Sequence, residues 1–321
     1  MSPPVPGGGN GRLENAVGMD GASAVILDGV SKSFDGVRAV QGLSARVPRG
    51  TIYGFLGPNG AGKTTTIRMI MDILRPDGGR IEVLGAASAR QAKDRVGYMP
   101  EERGLYPRMK VRNVLEFLAE LKGVPKTQIP GRLESWLKAM DLSGWQQKEV
   151  RELSRGMQRR AEFIAAVISD PELIVMDEPF AGLDPLNLDL VKDTILRLRA
   201  AGKTIILSTH IMEQAETLCD RILLIHRGEK VLDGSLDEIR APYESDAVVV
   251  ELDGDSGFIE SLPMVRGVTR SERRITIELR EKGRDQELLA ALVGKVRVRA
   301  FEIKTPSLHE IFVRIVREPH E

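Results

Sequence analysis

Two short runs carry residue types that handle phosphate. Gly57-Pro58-Asn59-Gly60-Ala61-Gly62-Lys63-Thr64 matches the phosphate-loop pattern G-x-x-x-x-G-K-[ST]. Glycines let the backbone curl so that successive N–H groups converge on phosphate oxygens. A helix following the loop adds the positive end of its dipole. In this pattern Gly57, Asn59, Gly60 and Gly62 shape the cradle, and Lys63 reaches the β- and γ-phosphates. The Thr64 hydroxyl is a ligand for Mg²⁺, and its neighbour Thr65 is placed for the α-phosphate. The second run is Leu173-Ile174-Val175-Met176-Asp177-Glu178. It sets two acids at the carboxyl end of an apolar strand, where ligands bind in open α/β sheets. Asp177 is the residue to hold Mg²⁺ through water. Glu178 is the base to orient and polarise an attacking water. Two solvated acids would look the same alone; the loop upstream favours hydrolysis.

The elements that must position these runs follow from periodicity. Residues 24–30 and 37–47 read as strands, and 51–56 as a buried strand stopped by Gly57. A helix is expected over 64–74 and a strand over 95–99. From 111 to 170 the pattern is helical throughout, with amphipathic stretches at 111–123, 134–142 and 155–169. Then come a strand at 173–176, a helix at 187–200 closed by Gly202, a strand at 204–208, a helix at 210–219 and a strand at 221–226. Strands alternating with helices imply an α/β domain with a largely parallel sheet. After Ala241-Pro242 the composition shifts. Strands at 246–252, 274–279 and 296–303 and helices at 285–294 and 306–316 make a small α+β domain of about 80 residues. The basic alternation of Arg297 and Arg299 reads as one solvated strand face.

Composition sets the outer limits. The chain has 321 residues, 42% hydrophobic and 29% charged, which suits a globular protein of about two domains. Lys plus Arg and Asp plus Glu are both 46, so the net charge is zero. That balance disfavours a dedicated nucleic-acid binder, and no nucleic acid is expected as partner. Cys219 is the single cysteine, so an intramolecular disulfide and a cysteine-rich zinc site are excluded. No run of about 18 apolar residues occurs, so no transmembrane helix is expected. Residues 1–21 are rich in Pro and Gly and lack a secretory pattern, so they are expected to be a disordered tail.

Five further motifs follow in a specific order. Phe34 lies in SKSFDGV, and Glu101 in Tyr98-Met99-Pro100-Glu101. Leu153-Ser154-Arg155-Gly156-Met157-Gln158 precedes a helix. Gly182-Leu183-Asp184-Pro185 follows the acid pair, and His210 ends Ser208-Thr209-His210. With the phosphate loop, they make the chain from about Val25 to Gly234 resemble the ATP-binding subunit of an ABC transporter. The resemblance implies a P-loop NTPase cassette over 22–240, with a helical subdomain over about 102–170 and an accessory α+β domain over 241–321. It implies ATP and Mg²⁺ as ligands. Phe34 then stacks on adenine, Glu101 stands at the Q-loop as a metal or nucleotide contact, and His210 bonds the γ-phosphate and orients the catalytic water. Ser154 and Gly156 of the signature contact the γ-phosphate held by a second subunit, and Asp184 couples the two sites. The implied partners are a second ATP-binding subunit, as a homodimer, and a separate transmembrane permease. The implied place is cytoplasmic, peripheral on the inner face of the membrane.

Each motif also has a plainer reading. Ser154 at a helix start is an ordinary cap, which is compatible with anion binding. Phe34 alone would be a core residue, and Asp184 a turn acid. Two departures stand out. Glu101 replaces the Q-loop glutamine; it can ligate the metal, or face solvent. Arg155 and Met157 replace a glycine and a glutamine of the signature. These departures, PEERGLYPRMKV and the appended domain resemble the bacterial sodium and drug exporter branch. There Leu105, Tyr106, Pro107 and Met109 are either exposed anchors for a membrane subunit or part of the helical core. The chain lacks the second cassette of ribosome-acting relatives and the long coiled coil of DNA-acting ones. A non-hydrolysing scaffold is not required, since Glu178 and His210 are both present.

Overall fold

The computed structural model describes residues 23–102, 104–243, 246–271, 274–281 and 283–317. The stretch read as a tail, 1–21, lies outside them. Contacts fall into two units, one ending at Ser235 and the other beginning at Leu236.

In the first unit, β1 (Ser23–Phe34) and β2 (Val37–Pro48) form a hairpin. Its turn is Asp35-Gly36, both at positive φ, as a two-residue hairpin loop requires. β3 (Ile52–Leu56) is buried at every residue. α1 (Lys63–Ile70) ends earlier than the expected 74, because Asp72 adopts φ 55° and turns the chain out of the helix. β4 (Gly78–Val83) and β5 (Val96–Met99) follow. The order β2-β1-β4 makes a separate antiparallel sheet. The sequence reading lacked β4, whose first two residues are glycines.

The stretch read as continuously helical resolves into α2 (Val111–Leu121), α3 (Ile129–Ala139) and α4 (Arg155–Val167), with single 3-10 turns at Ser143–Trp145 and Val150–Glu152. Leu115, Leu133, Leu137 and Phe163 fill the space between the helices. Trp136 meets Phe163 edge to face at 6.3 Å. Trp145 is partly exposed.

β6 (Leu173–Met176), α5 (Pro185–Ala200), β7 (Thr204–Thr209), α6 (Met212–Leu218), β8 (Arg221–His226) and β9 (Glu229–Gly234) complete the unit. The main sheet has the order β5-β6-β7-β3-β8-β9. All its pairings are parallel except β8 with β9. β3, β6 and β7 are buried throughout, as strands covered on both faces must be. Because β6, β7 and β3 are neighbours, Asp177, His210 and the phosphate loop leave adjacent carboxyl ends. α4 approaches β5 so closely that a Cβ on Gly97 would stand 2.0 Å from the Ala166 carbonyl oxygen.

The second unit holds α7 (Leu236–Arg240), β10 (Ala247–Asp253), β11 (Val265–Ser271), β12 (Arg274–Leu279), α8 (Asp285–Leu292), β13 (Arg297–Ile303) and α9 (Leu308–Arg317). Its antiparallel sheet has the order β11-β12-β10-β13. Val248, Val250, Ile277, Leu279, Leu288 and Leu292 form its core. β11 was not expected; VRGVTRS has little apolar character. Arg297 and Arg299 are exposed, and Arg299 pairs with Asp253 at 2.7 Å.

Candidate functional site

The loop between β3 and α1 is shaped by steric necessity at two glycines. Gly57 has φ 148°, and a Cβ there would meet the Ile225 carbonyl oxygen at 2.1 Å. Gly62 has φ 106°, and its Cβ would meet the Ala39 carbonyl oxygen at 2.4 Å. Only glycine combines such angles with such contacts. Asn59, Gly60, Gly62, Lys63, Thr64 and Thr65 line a cleft of about 200 Å³ together with Glu101 and Glu178. The buried Lys63 ammonium donates to the carbonyls of Gly57 at 2.7 Å and Pro58 at 3.2 Å. It lies 3.8 Å from Glu178 Oε1. Burial pushes the Lys63 pKa down, against the pull of Glu178, Asp177 and Glu101. Thr64 Oγ1 donates to Glu101 Oε2 at 3.3 Å, although Glu101 itself is exposed.

The acid pair is held by the next strand. Asp177 is fully buried; Ser208 Oγ donates to its Oδ1 at 2.5 Å. Its Oδ2 is buried without a protein partner. Glu178 takes φ 48°, a left-handed conformation costing a non-glycine residue about 1 kcal/mol or more. Its N–H donates to Ser208 Oγ at 2.9 Å. Its Oε1 lies 3.0 Å from His210 Nδ1. Among the described residues no three acidic, His or Cys side chains form a cage. The donor set is one hydroxyl, one orphaned buried carboxylate oxygen and the Glu101 carboxylate. Hard oxygen donors in small number fit Mg²⁺, which keeps waters and takes phosphate oxygens as further ligands.

The remaining expected residues lie elsewhere. Ser154 caps α4, accepting from the Met157 N–H at 3.3 Å. Asp184 caps α5, accepting from the Asn187 N–H at 3.0 Å, and this backbone bond with the Asn187 side chain holds its carboxyl below the usual range. A Cβ on Gly156 would touch Leu183 at 3.6 Å, so signature and D-loop segments are neighbours within one chain. Neither segment lines the cleft. Phe34 ends β1 and is 43% exposed, which removes the core reading. The Lys32 ammonium stands 5.6 Å from its ring centre. The segment after Glu101 is split. Leu105 is buried, Met109 half-buried, and Tyr106 and Pro107 exposed, with Tyr106 against Phe117 at 6.2 Å. The sequence reading gave Ser208 no role of its own. Its signal was a hydroxyl pair closing an otherwise apolar strand.

Comparison with known proteins gives a consistent picture. The ABC transporter family model matches residues 40–181. The model of the C-terminal domain of DrrA1-3-like ATP-binding proteins matches residues 234–316. The chain is similar to the ABC transporter ATP-binding protein YhaQ of Bacillus subtilis (strain 168), with 39% identity over 92% of this chain and 100% of that one. It is 34% identical to the daunorubicin resistance ATP-binding protein DrrA3 of Streptomyces coeruleorubidus, over 91% and 96% of the two chains. It is 38% identical to the Nod factor export ATP-binding protein I of Ralstonia nicotianae, over 95% and 98%. A solved ATP binding subunit of an ABC transporter superposes with TM-score 0.65 at 28% identity, covering 69% of this chain and 93% of that one.

Proposed function

Because the chain belongs to the ATP-binding subunits of ABC transporters, we propose that it is a motor that hydrolyses ATP between two copies of itself and drives export through a separate membrane subunit. The observation carrying the hydrolytic reading is the Glu178 carboxylate, bonded to His210 at 3.0 Å and facing Lys63 across the cleft. The loop N–H groups and Lys63 bind the β- and γ-phosphates, and Phe34 stacks on the adenine. Thr64, Asp177 and Glu101 would hold Mg²⁺, which offsets charge on the phosphate oxygens. His210 holds the Glu178 carboxylate through Nδ1. Glu178 takes a proton from a water molecule as the water oxygen bonds to the γ-phosphorus, and the bond from phosphorus to the β–γ bridging oxygen breaks, so that ADP leaves.

Ser154 and Gly156 stand apart from their own cleft, which supports their serving the nucleotide of a second copy in a head-to-tail homodimer. Among the described residues no helix is long and apolar enough to cross a membrane, which supports a separate permease. The exposed Tyr106 and Pro107 are the surface offered to it. This fits a cytoplasmic protein peripheral on the membrane. Export is supported by the relatives named for drug resistance and Nod factor export. The test is steady-state ATP hydrolysis by the wild type and Glu178→Gln. The variant should lose about 100-fold or more in kcat while still binding ATP. A wild type no faster than the variant overturns the hydrolytic reading.

A further inference from the structure

We propose that Arg159 is a positioning residue, a single guanidinium that couples the backbone of the catalytic acids to the segment leading to Leu105 and Tyr106. The proposal rests on the hydrolytic role given to Glu178 above. Arg159 lies on α4, five residues after Ser154, and is 6% exposed. Its Nη2 donates to the carbonyls of Asp177 at 2.6 Å and Glu178 at 2.8 Å. Its Nη1 donates to the Pro100 carbonyl at 2.8 Å and to Glu162 Oε2 at 2.9 Å. All four Nη hydrogens are thus engaged. Glu162, 4% exposed, accepts the Gly104 N–H on its other oxygen at 3.2 Å.

The consequence follows from the backbone of Glu178. A left-handed glutamate persists only when its surroundings over-determine it. Here Ser208 takes its N–H and Arg159 takes its C=O. With both flanking peptide groups fixed, the Cα–Cβ bond is fixed too, and from it the side chain reaches His210 and Lys63. The same planar cation holds Pro100, whose neighbour Glu101 reaches Thr64, and through Glu162 it holds Gly104. A shift of Pro100 or Gly104 therefore reaches Glu178 through one rigid group. Lysine cannot replace it, because a lone ammonium lacks the fork that spans carbonyls on two separate segments.

The experiment uses the full-length protein and measures kcat, KM and ATP affinity for wild type, Arg159→Lys, Glu178→Gln and the double variant. Arg159→Lys should lower kcat roughly 10- to 100-fold while KM and the Kd for ATP stay within about twofold. In the Glu178→Gln background the same substitution should cost almost nothing, because it acts through Glu178. If Arg159→Lys does not fold, Glu162→Gln is read in the same cycle, with an expected loss of about 3- to 10-fold in kcat at unchanged KM. A wild type no faster than Glu178→Gln overturns the hydrolytic reading and this proposal with it. An active wild type with losses that multiply in the double variant, or with kcat unchanged by Arg159→Lys, overturns this proposal alone.

Discussion

Gly97→Ala adds one methyl group where α4 crosses β5. That methyl carbon would sit 2.0 Å from the Ala166 carbonyl oxygen and 3.0 Å from Pro171 Cγ, against an ordinary contact of 3.4–4 Å. β5 is held by its ladder to β6, so the yielding partner is α4, which must withdraw by roughly 1 Å or more. Arg159 rides on that helix. Its bonds of 2.6 and 2.8 Å to Asp177 and Glu178 would then approach or pass the 3.5 Å limit of a hydrogen bond. Overpacking costs about 1–3 kcal/mol, and losing a bond to a charged donor about 1.5–3 kcal/mol. The variant should lose roughly 3–5 kcal/mol of unfolding free energy, a large part of a typical total of about 5–15 kcal/mol. Urea unfolding followed by circular dichroism measures this as a fall in the transition midpoint. Gly131→Ala is the control. It lies within α3 with nothing within 4 Å of its Cβ, and should stabilise by about 0.5–1 kcal/mol. A Gly97→Ala protein that unfolds at the wild-type urea concentration would refute the packing argument.

Ser208→Ala strips a donor from the buried Asp177 carboxylate and an acceptor from the Glu178 N–H. It should cost about 2–4 kcal/mol in thermal unfolding and raise the Mg²⁺ concentration needed for half-maximal hydrolysis. Lys63 has its folded pKa lowered, so the unfolded chain binds more protons just below the ordinary lysine value of about 10.4. Its contribution to stability therefore rises with pH through that window and falls as pH drops through the lowered value. Tyr53 acts oppositely above about pH 10, because burial and Asp233 raise its pKa. The difference between wild type and Lys63→Met isolates the lysine. The stability of wild type relative to Lys63→Met should rise with pH through that window, and a difference that does not change with pH, read by thermal unfolding, would sink the argument. Phe34→Ala should weaken ATP binding about tenfold, with little effect on stability, since stacking a base is worth about 1–3 kcal/mol. An ATP Kd within twofold of wild type, read by titration calorimetry, would remove Phe34 from the site.

What was legible in the sequence was local. The phosphate loop, the run ending in Asp177-Glu178 and the run ending in His210 are contiguous strings. Their strands are apolar enough to read as buried, so the parallel sheet and the placing of its carboxyl ends followed. What was not legible depends on partners distant in the chain. Arg159 meets carbonyls 18, 19 and 59 residues away, and a pair of arginines in a helix reads as a solvated face. Ser208 meets Asp177 31 residues away. The left-handed backbone of Glu178 has no sequence mark, since glutamate is not a residue that favours it. β4 and β11 carry glycine or polar residues and become strands only through their neighbours in the sheet. Leu105 and Tyr106 are adjacent, and only tertiary packing decides that one is buried and the other exposed.

The edge-to-face contact of Trp136 with Phe163 has an optical consequence. The chain contains two tryptophans, Trp136 within α3 and Trp145 at the end of the 3-10 turn that follows it. No tryptophan lines the cleft at the phosphate loop. Intrinsic emission excited at the red edge of protein absorption is therefore an unlabelled reporter of the helical region alone. Phe163 lies on the same helix as Arg159, so a change in the tryptophan emission maximum on adding ATP would report a rearrangement of the helical region in the unmodified chain.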